Sequence, residues 1–418
     1  MIGQFAGIPG AMQSPFTDGR RVGVLGNTTR SATLAENKVK TKGKGAVAGR
    51  WGMLRTVKKY IPGHENARGV RVPDSPFYCM TLQPRGTGGT GGNVSVFRKT
   101  GDGGGAFYSG LYHCGSVWGC PVCAPRIAEV RCTEVCEAMD RHYAAGGYCL
   151  LVTFTFPHCR GGDLRANVDK FLGAVRRFKS GATWQGIKKD LNLIGSIRGL
   201  EVTYWNPDSG RANNGFHPHT HELLFVRAVT ATTDAVTGTR TYPEIDAWRE
   251  IFADRWRKFA AEFGLGLTNS HGLDMRVTSS SDYVAKFGEL ARWGGDRELV
   301  KGTAKTRGGL SPWELLRRAA SDPEYGRIWQ EYYRAFKGRR QLYWTRGLRE
   351  IVFPELREKT NQECAREIPD GYELAGTLSP GEWVFLGVMD LHEDFLSLVA
   401  VEGFDVARGV CFRSRPPP

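Results

Sequence analysis

The segment Phe216-His217-Pro218-His219-Thr220-His221-Glu222-Leu223-Leu224-Phe225 places three histidines two residues apart and then runs into apolar residues. Side chains of an extended strand alternate between faces, so His217, His219 and His221 project from one side and can converge on a metal ion. The competing reading is a set of satisfied polar residues at a strand start, with His217 in the turn before Pro218. A run of imidazoles disfavours it, because neighbouring imidazoles oppose one another's protonation and rarely serve packing. A metal site carried on a strand is expected.

Flanking elements give this strand its setting. Gly147 to Phe156 is rich in β-branched and aromatic residues between Gly-Gly and Pro157, which predicts a central strand. Leu164 to Lys179 shows helical spacing through Val168, Phe171, Leu172 and Val175, and Leu193 to Tyr204 returns to strand character. A turn-rich stretch, Asn206 to Gly215, leads into the histidines. Tyr242 to Phe263 predicts a helix with Trp248, Phe252, Trp256 and Phe259 on one face, and Leu273 to Val277 a short strand. The order β-α-β-β-α-β-α, with two strands joined by a turn, predicts an α+β fold: an antiparallel sheet flanked by helices.

Ser281-Asp282-Tyr283-Val284-Ala285-Lys286-Phe287 follows about sixty residues after the histidines. Ser281 or Asp282 can cap a helix, which sets Tyr283 and Lys286 three apart on one face. A phenol can attack phosphorus while an ammonium holds a non-bridging oxygen or stabilises the phenolate. Tyr-x-x-Lys alone is common on surface helices; after such a histidine strand it gains weight.

Ten cysteines occur in the chain, several at metal-ligand spacing. Cys120-Pro-Val-Cys123 is a zinc knuckle candidate; Cys114 supplies a third thiolate, and the fourth ligand is Cys79 or, alternatively, His113. A redox Cys-x-x-Cys would open a helix after a strand without further cysteines nearby. A four-thiolate site would stabilise a module short of core. Cys132, Cys136, Cys149, Cys159, Cys364 and Cys411 show no ligand spacing.

His219-Thr220-His221 with Tyr283-x-x-Lys286 resembles the motif pair of the HUH endonucleases, with Thr220 at the usually hydrophobic position. Leu151-Val-Thr-Phe-Thr-Phe-Pro-His158 resembles the first motif of that group. Cys114 to Cys123, and Lys337-Gly-Arg-Arg-Gln-Leu-Tyr-Trp-Thr-Arg-Gly-Leu348, resemble segments of rolling-circle plasmid replication initiators from high-GC Gram-positive bacteria. The likeness covers about residues 75 to 350.

The resemblance implies a metal-dependent nickase in which Tyr283 attacks the phosphodiester, becomes linked to the 5′ end and frees a 3′-hydroxyl primer. A carboxylate normally completes such a site for Mg²⁺ or Mn²⁺. Glu201 is the candidate, because antiparallel pairing of its strand with the histidine strand could bring it beside His219. Phe287 stands where many relatives have a second tyrosine, and Glu289 is the nearest carboxylate downstream for termination. His158 and His217 are second-layer donors or bystanders. Lys337, Arg339, Arg340 and Arg346 are candidate DNA contacts. Tyr332, Tyr333 and Trp344 could stack on bases, although aromatics at helical spacing are more often core.

A net charge of +14 over 418 residues suits a polyanionic partner, origin DNA by this reading. Host helicase and polymerase are further implied partners, and a homodimer is compatible. No apolar run approaches a membrane span, and the N-terminus lacks a basic start and continuous apolar stretch, so a cytoplasmic protein is expected. The expected organisation is a basic flexible arm (1–72), a zinc-binding module (73–145), the endonuclease domain (146–305) and a mostly helical C-terminal DNA-binding region (306–418). The glycine-rich stretch Gly86 to Gly105 lacks a Gly-Lys-Ser/Thr ending and reads as flexible loops. A conjugative relaxase or single-strand transposase shares the chemistry; a zinc-containing DNA-binding regulator is the non-enzymatic alternative.

Overall fold

In a computed structural model, residues 49–83, 92–101, 105–158, 160–227, 232–233, 240–266, 268, 270–280, 309–355 and 357–413 are described. Strands β1 (Gly63–Glu65) and β2 (Arg71–Pro73) form a short hairpin, and β3 (Val94–Lys99) pairs β4 (Ala106–Ser109). The principal sheet contains β5 (Tyr148–Phe154), β6 (Leu193–Tyr204) and β7 (Phe216–Val226). The small β8 (Thr232–Thr233) and β9 (Arg240–Thr241) pair with each other, and β10 (Leu273–Thr278), β11 (Leu342–Trp344) and β12 (Tyr372–Leu378) complete the strands. The principal sheet runs β10-β5-β7-β6-β11, antiparallel throughout, so the histidine strand lies at its centre.

β7 explains its own position. Its last seven residues, Thr220 to Val226, are buried on both faces, as a central strand's must be, whereas His217 and His219 stay half-exposed at its leading end. One face carries Val152, Phe154, Leu200 and Leu224 against helices α3 (Leu164–Phe178) and α5 (Pro243–Glu262). There Phe171, Phe178, Phe252 and Trp256 are fully buried, each worth about 1.5–3 kcal/mol in apolar burial. Glu222 faces this core at 1% exposure and is neutralised by Lys179 Nζ, 2.9 Å from both oxygens. The other face carries Leu151, Ile197, Leu223 and Phe225 against Val135, Ala138 and Met139 of α2 (Cys123–Ala144) and Leu348 and Val352 of a short helix. By alternation this second face also carries His221, His219 and Glu201.

The α+β class and its antiparallel sheet are as expected, and the predicted strands and helices of the central region form close to their expected limits. Two local expectations need correction, and further elements were not foreseen. Within the supposed arm, α1 (Arg50–Tyr60) is a helix that buries Met53, Leu54 and Val57 against distant elements. Within the supposed glycine-rich loops, β3 buries Val94 and Val96 and pairs β12. Helix α4 (Gly181–Asp190) was not foreseen, since only Trp184 and Ile187 of its residues are buried. Beyond residue 306 the described residues are mostly helical, as expected, but two unforeseen strands join the sheets: β11 forms an edge of the principal sheet and β12 an edge of the three-stranded one. Among the described residues, no helix is long and apolar enough to cross a membrane.

Candidate metal centre

Register brings the trio together. Across the β6–β7 pair Glu201 lies directly opposite His219, and Gly199 opposite His221. The Glu201 carboxylate oxygen Oε2 lies 3.3 Å from His219 Nε2 and 3.6 Å from His221 Nε2, and the three potential ligand atoms all fall within 4.8 Å of one another. Ligands 2.1 Å from an ion are separated by about 3.0 Å in an octahedron and about 3.4 Å in a tetrahedron. The observed spacing fits one shared ion.

The far nitrogens of both imidazoles are tied down. His219 Nδ1–H donates to the His217 carbonyl at 3.1 Å, and Thr153 Oγ1 lies 2.9 Å from His221 Nδ1. With Nδ1 engaged, each imidazole turns its Nε2 toward Glu201, the nitrogen that a metal ion at this position would take. Burial raises the Glu201 carboxyl, but the contacts from His219 and His221 outweigh it and hold the group down at about 2. The carboxylate is thus anionic. His217 does not join the cluster: it bonds Thr155 Oγ1 at 3.0 Å through Nε2 and stacks on His158 at 4.6 Å. Burial, then the neighbouring His219 and His158, push it down to about 3, which keeps it neutral.

A second group forms around α2. Cys79, Cys114, Cys120 and Cys123 bring their sulfurs within 4.8 Å of one another, all buried. Sulfur pairs stand at 3.4 Å (Cys79–Cys120), 3.5 Å (Cys79–Cys123) and 3.8 Å (Cys114–Cys123). Thiolates 2.3 Å from a tetrahedral zinc stand about 3.8 Å apart, whereas a disulfide would bring two sulfurs to about 2.05 Å. His113, the alternative fourth ligand, turns its Nδ1 to the Leu111 carbonyl at 3.0 Å and stays outside the group. Because α2 begins at Cys123 and packs its later turns on the Glu201 face, the cysteine group anchors the helix that covers the trio's sheet face.

Of the remaining predicted site residues, Tyr283, Lys286 and Glu289, with Cys159 among the other cysteines, lie outside the described residues. Lys337 is bonded to the buried Asp74. Arg339 is engaged inside the protein: Nε donates to the Ala335 carbonyl at 2.6 Å and a terminal nitrogen meets Asp169 at 2.7 Å. Arg340 and Arg346 are exposed. Arg340 adjoins Gln341, whose carbonyl accepts from the Leu200 amide beside Glu201. Tyr332 and Tyr333 are buried, so the core reading holds for both. Sequence reasoning overlooked Thr153 and Thr155, although both lie in the Leu151 to His158 segment and alternate onto the histidine face. It also overlooked Asp274, exposed and in the register row Asp274–Thr153–His221 on that same face.

These features describe an α+β protein with two side-chain groups able to hold metal ions. Residues 112–258 match a family model described as "Replication protein". The chain is 28% identical over 302 residues to a protein named "Protein rep" from Streptomyces lividans, covering 58% of this chain and 64% of that one. It is 31% identical over 190 residues to a "Neomycin resistance protein" from Streptomyces cyanogenus, covering 39% and 41%. The chain thus spans under two thirds of the length of these relatives. No solved structure matches. The resemblance to rolling-circle plasmid replication initiators of high-GC Gram-positive bacteria is borne out by these matches.

Proposed function

We propose that this protein initiates rolling-circle plasmid replication by nicking one strand at the origin through a 5′-phosphotyrosine intermediate, on an HUH-type sheet. The observation that carries the reading is the pair of imidazoles whose Nδ1 atoms are engaged and whose Nε2 atoms face one anionic carboxylate. That donor set, with one hard oxygen and two nitrogens, suits Mg²⁺ or Mn²⁺, and an ion there supplies Lewis acidity at the scissile phosphate. The four cysteines suit a structural Zn²⁺.

β10 pairs β5, the strand beside the histidine strand, and Thr278 lies four register rows from the row of His221, about 13 Å along the strands. Cys136 of α2, on the trio's face, lies 4.0 Å from the Ser280 carbonyl, three residues before Tyr283. In the reaction the Tyr283 oxygen forms a bond to phosphorus as the bond to the 3′ oxygen breaks. That oxygen takes a proton and becomes the primer hydroxyl, while the phenol's proton leaves to a base. The phosphodiester energy is kept in the tyrosyl ester, so a later 3′-hydroxyl can reverse the transfer. Lys286 holds a non-bridging oxygen, Glu289 acts at termination, and Arg340 and Arg346 contact backbone phosphates. A host helicase unwinds the duplex and a host polymerase extends the freed 3′ end in the cytoplasm.

The test is the double variant His219→Ala, His221→Ala. It should abolish nicking of origin DNA in Mn²⁺ while retaining duplex binding; a variant that nicks normally overturns the reading.

A further inference from the structure

Away from the trio, a cleft of about 490 Å³ opens between α1, the segment after Cys79 and the C-terminal helices. α1 contributes Trp51, Leu54, Arg55 and Lys58, spaced i, i+3, i+4 and i+7, so one stripe of the helix forms a wall. Facing it are Trp383, Val384, Gly387 and His392, and Met80, Thr81 and Leu82 close the third side. The aromatic part is rigid: Trp51 stacks on His392 at 4.5 Å and 11°, and Trp383 packs against His392 at 4.1 Å. Tyr108 bonds the His392 carbonyl at 2.8 Å from behind.

Two features mark the cleft as more than a packing defect. Gly387 has no side chain where a Cβ would meet His392 at 3.2 Å, which keeps the floor open. Among the described residues three non-glycines have positive φ; Asp390 (56°) is the left-handed cap that ends the Pro380–Val388 helix, whereas Met80 (64°), a bulky residue lining this cleft, holds strain of the kind that clusters at functional sites. The lining joins the π surfaces of Trp51 and Trp383 to the cations Arg55, which is exposed, and Lys58, which is half-buried. Asp390 pairs with Arg55.

We propose that this cleft binds a nucleobase carrying a phosphate, with the base against Trp51 and Trp383 and the phosphate at Arg55 and Lys58. A planar π face against indole and an anion beside guanidinium and ammonium satisfy both halves of the cleft at once. Asp390 already pairs with Arg55, so a phosphate would share that guanidinium and meet the Lys58 ammonium, whereas an apolar peptide offers Lys58 no counter-charge. The ligand is an unpaired nucleotide of a DNA strand or a free mononucleotide. No residue of the Glu201 trio lines the cleft, so binding here fails or succeeds separately from nicking.

The experiment uses the full zinc-loaded chain and a short single-stranded oligonucleotide without origin sequence, carrying one 5-iododeoxyuridine and a fluorescent end. Irradiation followed by peptide mapping should place crosslinks on Trp51, Trp383 or His392. Arg55→Ala and the surface change Val384→Glu should each weaken binding, read by anisotropy, about tenfold, within the range of a single base-stacking contribution. Release of the oligonucleotide by millimolar thymidine monophosphate identifies the mononucleotide as sufficient; crosslinking that persists identifies the strand. Crosslinks confined elsewhere, with both variants folded and binding like the parent, overturn the proposal.

Discussion

Replacing Thr153 by valine isolates what orients the trio. The Thr153 hydroxyl meets His221 Nδ1 at 2.9 Å, and His221 is 6% exposed, so water does not readily replace the lost partner. Valine keeps the β-branched shape the strand accommodates, so the loss to the fold should be that of one buried imidazole nitrogen left without this partner, about 1–3 kcal/mol. Metal affinity should fall as well. Removing the hydrogen bond that orients a ligating imidazole typically costs 10- to 100-fold, about 1.4–2.8 kcal/mol. The assay is a Mn²⁺ titration followed by electron paramagnetic resonance, in parallel with origin nicking at limiting and saturating Mn²⁺. Thr153→Val should bind Mn²⁺ at least tenfold more weakly and regain nicking at saturation, whereas Thr153→Ser should behave like the parent. An unchanged affinity in the valine variant would show that Thr153 does not set the imidazole, and the argument from tied Nδ1 atoms would fail.

Further predictions concern the cysteines, the basic corner, a buried ion pair and pH. Cys120→Ser with Cys123→Ser should remove one zinc per chain and lower Tm; unchanged zinc content by atomic absorption refutes the second metal site. Arg340→Ala and Arg346→Ala should each weaken DNA binding and flatten its salt dependence by about one phosphate contact, while Arg339→Ala, which breaks the Asp169 contact, should show in the melting curve instead. Lys179→Met removes the ammonium bonded to the buried Glu222 carboxylate, leaving Arg198 opposite it, and should destabilise by up to about 3–5 kcal/mol in urea; Lys179→Met with Glu222→Gln should recover most of it. Burial first, then the Arg55 and Lys58 charges, against an opposing bond to the Trp383 backbone, hold His392 down at about 4, against about 6.5 unfolded. Between those values the unfolded chain binds the extra proton, so stability should decline as pH falls from about 6.5 towards 4. His392→Phe should flatten that part of the pH–Tm curve, and an identical slope would refute the assignment.

The centre of the fold was legible because its signals are local. Alternation in Phe216 to Phe225 assigns the histidine face, and one turn-rich connection from Tyr204 brings Glu201 opposite His219. Elsewhere the deciding partners are remote. Met53, Leu54 and Val57 sit among arginines and lysines, and their burial depends on distant elements. Val94 and Val96 read as loop because their partner strand lies near the far end of the chain, with Val94 opposite Leu378. Cys79 joins the other three cysteines through the turn after Ser75–Tyr78 rather than through spacing alone. Thr153 escaped notice because a threonine in a strand is ordinary until its register row is known.

The decisive measurement is covalent capture: incubate the full chain with single-stranded origin DNA and Mn²⁺, denature, and look for protein bearing the labelled 5′ end. The parent should form the adduct, with the label on the peptide containing Tyr283, and Tyr283→Phe should form none. An adduct undiminished in Tyr283→Phe, or cleavage in Mn²⁺ that leaves no protein-linked DNA, would contradict the mechanism.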